Sequence, residues 1–188
     1  MRVWTVGHST RSVEEFIRLL AVNGIERVVD IRRYPGSRRW PWFNQGELRE
    51  RLVGAGIAYE WLEALGGRRH GEGAKGASVN RGLRVSGFRN YADYMATKAF
   101  REGIGRLLAW AQEKRTAVMC AERVYWKCHR RLVSDYLTAQ GVEVLHILET
   151  GRVEGHRMTP GAVVEVGGVV YPGEEERGLF DGTEDDSG

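Results

Sequence analysis

Cys120 to Arg131 reads C-A-E-R-V-Y-W-K-C-H-R-R, and its side chains are two thiols, a carboxylate, two aromatic rings, an imidazole and four cations. That inventory equips one short segment for nucleophilic, acid–base and anion-binding chemistry. Cys120 and Cys128 are candidate nucleophiles, because a thiol beside His129 and arginines at a helix start is held toward the thiolate. Glu122 suits the handling of water and His129 the transfer of a proton. Arg130 and Arg131 suit phosphate, and Tyr125 and Trp126 suit the wall of a pocket for a flat ring. Against these stand structural roles: buried inert thiols, and Glu122 as a cap for the helix that follows. The position after Cys120 at which tyrosine-phosphatase and rhodanese loops carry their arginine is held here by Tyr125 and Trp126.

Three further segments could supply chemistry. Gly7-His8-Ser9 offers an imidazole as proton partner or cation. Asp30 leads into R-R-Y-P-G-S-R-R-W-P-W-F, in which Arg32, Arg33, Arg38 and Arg39 alternate with Tyr34, Trp40, Trp42 and Phe43. Guanidinium groups beside flat rings fit a phosphate backbone and its bases, while Asp30 either activates water or pairs with Arg32 or Arg130. Residues 66–90 hold seven glycines, six Lys or Arg and the single acid Glu72. Arg68 and Arg69, with Lys75, Arg81, Arg84 and Arg89, form a candidate phosphate clamp there. No metal and no cofactor is expected, because seven residues separate the two cysteines and adjacent Cys128 and His129 rarely reach one ion. His146 reads as a core residue, and His70 and His156 as exposed.

The elements that must position these groups follow from hydrophobic periodicity. Val3–Val6, Arg27–Ile31, Ile57–Trp61, residues 116–120 and Val142–Ile147 read as strands. Ser12-x-x-Glu15 is a capping box opening a helix, Asn44-x-x-Glu47 starts a second, residues 88–114 make one or two more, and the last spans 129–140. Alternating strands and helices predict an α/β fold: a doubly wound, mostly parallel sheet of about five strands with helices on both faces, plus a C-terminal β-hairpin. The domain plan is a core over 1–150, a hairpin extension over 151–173 and an acidic, disordered tail over 174–188. Parallel strands would bring all four polar clusters to one carboxyl edge, where ligands bind in such folds.

The motifs T-V-G-H-S-T, V-V-D-I-R-R-Y-P-G-S-R-R, W-F-N, L-G-G-R-R, F-R-N-Y-A-D-Y-M and M-C-A-E-x-x-Y-W-K-C-H-R-R-L, in this order over residues 3–147, resemble the domain of unknown function 488 family (DUF488). The resemblance brings no settled chemistry. It implies only an association with DNA repair.

Charge narrows the partner. The net charge of +3 is the sum of −6 on residues 174–188 and +9 on residues 1–173, and a body so basic suits a polyanion. No apolar run approaches the roughly 20 residues of a membrane helix and no signal-peptide order opens the chain, so no membrane partner and a cytoplasmic location are expected. The reading is therefore a nucleic-acid-directed enzyme, with DNA as the partner. It would hydrolyse at a base or nucleotide in the manner of a DNA glycosylase, using Glu122, Asp30, His8 and His129. A non-catalytic DNA- or RNA-binding module and a cysteine-dependent enzyme for a small anionic metabolite are the alternatives.

Overall fold

Apolar runs and amphipathic segments alternate through the first 150 residues, and the folded elements keep that rhythm. The structure is a computed structural model that describes residues 1–73 and 77–173; Lys75 and the acidic tail lie outside the described residues. β1 (Arg2–Gly7), β2 (Arg27–Asp30), β3 (Ala58–Trp61), β4 (Thr116–Cys120) and β5 (Glu143–Glu149) are parallel and pair in the order β3-β2-β4-β1-β5. A sixth strand, β6 (Arg152–Gly155), adds antiparallel to β5. Periodicity could not find it, since R-V-E-G at a sheet edge is solvated and has no apolar run. The expected hairpin forms from β7 (Val163–Glu165) and β8 (Gly168–Val170), turning at Gly167 with φ +87°.

The sheet is covered on both faces. α1 (Val13–Val22), opened by the reciprocal Ser12–Glu15 capping box, and α2 (Gln45–Gly54) bury Phe16, Leu20, Leu48 and Leu52 against Val6, Val28, Ala117 and Met119. α3 (Ser86–Met95), α4 (Lys98–Glu113) and α5 (Arg130–Ala139) bury Tyr91, Phe100, Leu132 and Leu137 against Val3, Val29, Val118 and Val144. Successive strand residues serve opposite faces, as the two-residue period of a pleat requires. Val118 and Cys120 therefore join the α3–α5 face, whereas Val28 belongs to the α1–α2 face. The residues from Phe88 to Lys114 make two helices, divided at Thr97, whose hydroxyl accepts from the Phe100 N–H.

One step of this topology positions the site. Neighbouring strands β1 and β4 run parallel, but the chain leaves β1 for α1 on one face and leaves β4 for α5 on the other. The two exits diverge and open a crevice at the carboxyl edge, the usual ligand position in an open α/β sheet. Backbone bonds from His8 N–H to the Cys120 carbonyl (3.0 Å) and from Ser9 N–H to the Ala121 carbonyl (2.9 Å) fix its floor.

Gly7 permits that closeness, because a Cβ there would fall on the carbonyl of Glu122. Gly7→Ala is expected to destabilise the fold by about 3 kcal/mol or more, since backbone must move. Gly105→Ala, in the middle of α4 with nothing within 4 Å of the added carbon, is expected to stabilise by about 0.5–1 kcal/mol. Urea denaturation of the two variants checks both signs.

Candidate active site

The crevice widens into a cleft of about 620 Å³ lined from five separate stretches of chain, including His8, Arg32, Tyr34, Arg68, Cys120 and His129. All four polar clusters of the sequence contribute residues to it. Glu122 is its single acid among the described residues, against Arg32, Arg33, Arg68, Arg123 and Lys127. Ser9 and Arg68, the two described non-glycine residues with positive φ (+55° and +57°), both line it. Such backbone costs on the order of 1–3 kcal/mol and concentrates where ligands are held.

At the floor the two thiols meet. Cys120 ends β4 on the α3–α5 face, and the loop returns Cys128 to it just before α5. His129 Nδ1 lies 3.6 Å from Cys128 Sγ and 4.0 Å from Cys120 Sγ. The Arg130 backbone N–H, in the first turn of α5, points at Cys128 Sγ from 3.5 Å. Burial pushes the Cys128 thiol up, but the Cys120 S–H, His129 and Arg130 outweigh it and hold Cys128 well below the ordinary thiol range. Cys120 moves the opposite way, raised by its bond to Cys128 and by burial. The two shifts run in opposite directions, so of the two sulfurs Cys128 is the one favoured as thiolate.

Asp30 does not join them. It shares the α1–α2 face with Val28, where it is fully buried. Arg32 clamps it through Nη2 (2.6 Å) and Nε (2.9 and 3.0 Å), and the Tyr59 hydroxyl donates to it at 2.7 Å. This is the pairing role weighed for Asp30, and it takes the carboxylate away from water. Arg32 in turn donates to the Phe43 carbonyl (2.8 Å) and faces His8 Nε2 at 3.5 Å. His8 lies stacked on Phe43 with ring centroids 4.0 Å apart, and its Nδ1 bonds the Ser9 carbonyl. Burial and then Arg32 lower its pKa to about 3, so His8 presents a neutral nitrogen to the cleft and not a cation.

Arg130 is a builder of the site and does not line its cleft. Its guanidinium, only 1 % exposed, donates to the carbonyls of Glu122 and Arg123 and, at 3.2 Å, to Thr5 Oγ1. Behind it runs a buried chain: Thr5 Oγ1 to His146 Nδ1 (2.7 Å), His146 Nε2 to His156 Nδ1 (2.9 Å), His156 Nε2 to Asp135 Oδ1 (2.8 Å). One donor order, Arg130 to Thr5 to His146 to His156 to Asp135, fits every contact of the chain. His156 is therefore not exposed as expected; its side chain is 1 % exposed and paired with Asp135. Tyr125 stacks on His146 at 3.5 Å and Trp126 faces solvent, so neither walls the cleft.

The arginine loops divide between structure and surface. Arg69 is buried, donating to Gly66 and Glu63 carbonyls and to Glu72 (2.8 Å), beneath the Tyr94 ring. Arg33 pairs with Glu63 and Glu72 at 3.1 Å, and Arg131 lies over Phe88. Arg89 holds the Leu83 carbonyl. Arg38 and Arg39 are exposed outside the cleft; Trp40 lines it, and Trp42 packs inward with its N–H on the Arg11 carbonyl. Arg68 and Lys127 line the cleft with no ion pair among the described residues.

Cys120, Cys128 and His129 are the one group among the described residues whose donor atoms, all within 4.8 Å of one another, could hold a metal ion. The far nitrogen of that ring, His129 Nε2, is buried without a partner.

Two buried neutral histidines give the fold an acid limit. His8 is lowered to about 3 and His146, by burial, His156 and Arg130, to about 2. Both rings are free to take a proton near pH 6.5 once unfolded. Their contribution is present above that value and is lost as pH falls toward the folded values, at up to about 1.4 kcal/mol per pH unit for each ring. The urea midpoint is expected to fall steadily below pH of about 6.5, and His146→Gln to flatten that decline. A midpoint independent of pH across this range would contradict the arrangement.

No curated protein and no solved structure matches the chain. The family model described as domain of unknown function DUF488 matches residues 12–137, which carry the Asp30–Arg32 clamp, the glycine-rich loop and both cysteines. The chain belongs to the DUF488 family.

Proposed function

We propose that this protein is a cysteine-dependent enzyme acting on an anionic, nucleotide-sized metabolite, with Cys128 as its nucleophile. One observation carries the reading: a thiol that accepts a helix-terminal N–H and faces an imidazole sits at the floor of a cation-rich cleft. A preformed thiolate needs no separate base before it attacks. Arg68 and Lys127 at the walls supply charge to an anionic group, and Tyr34, Trp40 and Phe88 supply apolar surface beside it. The volume, about 620 Å³, matches one small molecule better than a strand. Attack by Sγ on an electrophilic carbon or phosphorus forms a bond from sulfur to that atom and breaks its bond to a leaving group, which departs taking a proton from solvent; water then cleaves the sulfur bond, releasing the product and returning the thiolate.

A nucleic-acid hydrolase is the second reading, favoured by Glu122 as the cleft's single carboxylate among the described residues. It loses Asp30, Tyr125 and Trp126 from its machinery, since none of these lines the cleft. Salt-sensitive binding of oligonucleotides and product formation abolished by Glu122→Gln would favour it over the thiolate.

Alkylation by iodoacetamide, mapped by mass spectrometry, tests the first reading. Cys128 is expected to react first, at a rate that holds constant well below the ordinary thiol range, while Cys120 lags at least tenfold. A nucleoside monophosphate should slow the reaction. Equal, slow labelling of both cysteines with an ordinary thiol pH profile would overturn it.

A further inference from the structure

We propose that Cys120 Sγ, Cys128 Sγ and His129 Nδ1 form a binding site for a soft divalent cation, zinc by its donor chemistry, whose fourth position opens to the cleft. Zinc bonds of about 2.3 Å to sulfur and 2.0–2.1 Å to nitrogen, at tetrahedral angles, place a sulfur and a nitrogen about 3.6 Å apart. The ring nitrogen stands 3.6 Å from one sulfur and 4.0 Å from the other. A shift of a few tenths of an ångström brings the longer sulfur–nitrogen edge to that length, and the two sulfurs lie within 4.8 Å of each other. Three protein donors leave one tetrahedral position for water, so the site is open to exchange with the cleft and is not a sealed structural one. All three residues line the cleft.

The fold removes both objections that the sequence raised. Seven intervening residues do not separate the thiols in space, because the Arg130 guanidinium draws the carbonyls of Glu122 and Arg123 inward and folds the loop back. The adjacency of Cys128 and His129 is resolved by the backbone. Cys128 is extended (φ −131°, ψ 151°) and His129 helical (φ −58°, ψ −17°), and the change at that step lets consecutive side chains converge. Gly67 supplies the clearance, for a Cβ there would stand 2.8 Å from His129 Nδ1. On the opposite side the ring rests against Tyr91, with centroids 4.9 Å apart.

Metal binding and nucleophilic attack then compete, because a cation on Cys128 Sγ draws off the negative charge that makes the thiolate reactive. This consequence, though not the binding itself, rests on the thiolate reading. Metal occupancy would switch the cleft off and chelation would restore it.

Cobalt(II) added to reduced, metal-free full-length protein is the direct probe. The expected result is one equivalent bound, with a sulfur-to-cobalt charge-transfer band and the intense visible bands of tetrahedral cobalt. Zinc should displace it, and His129→Ala should weaken it at least tenfold. Gly67→Ala should weaken it too, by pushing the ring aside. A pale octahedral spectrum without the sulfur band, or affinity untouched by His129→Ala, would overturn the site. Cys120→Ser and Cys128→Ser should each remove or weaken the band; if either fails to fold, the wild type decides alone through protection of both thiols from alkylation by stoichiometric zinc. The two claims fail separately. Fast Cys128 labelling without cobalt binding sinks only the metal site; cobalt binding with slow labelling of metal-free protein sinks only the thiolate reading.

Discussion

Everything at the carboxyl edge hangs on one buried cation. Arg130 is sealed from solvent, and its two terminal nitrogens find acceptors while Nε has none. The acceptors are the two carbonyls of the segment after β4 and the hydroxyl of Thr5 on β1. A single side chain thus ties both lips of the crevice together, while its own backbone N–H faces the Cys128 sulfur. The negative end of the arrangement is Asp135, one turn further along α5 in sequence and reached through His156, His146 and Thr5. Arg130 and Asp135 are joined through Thr5, His146 and His156, so the two buried groups are linked without direct contact.

Two faces of the sheet divide the labour. The α1–α2 face holds Asp30, Arg32, Tyr59, Phe43 and His8 in a packed polar cluster whose products at the cleft are a held guanidinium and a neutral imidazole. The α3–α5 face delivers the sulfur pair and His129. The cleft opens where the chain exits of β1 and β4 part, so groups from both faces line one space although no strand could present them together. That division explains why an acid from β2 and a thiol from β4, at neighbouring strand ends, never meet.

Much of this architecture was legible in the sequence. Five parallel strands, the Ser12–Glu15 cap, the final helix and the hairpin follow from periodicity and turn residues, as does the meeting of four polar clusters on one edge. What escaped depends on register and direction. The sequence left Asp30 open between water and an arginine partner, because Tyr59, which completes its seal, lies on another strand and faces it only once β2 and β3 are aligned. His156 carries no pattern in G-H-R-M-T-P, and its partner sits 21 residues earlier on a helix. Tyr125 and Trp126 shared a motif with the cysteines but turn the other way through a single 3-10 turn. The sulfur–imidazole triangle was discounted on spacing, a rule built on local ligand motifs that a strand end and a returning loop need not obey.

The account stands on the charge of one sulfur atom, and ultraviolet thiolate absorbance of metal-free protein, followed against pH, reads that charge without a substrate. At neutral pH one thiolate per chain should be visible in the wild type and absent from Cys128→Ser. A wild-type trace that stays flat until the ordinary thiol range, where both cysteines ionise together, would contradict it.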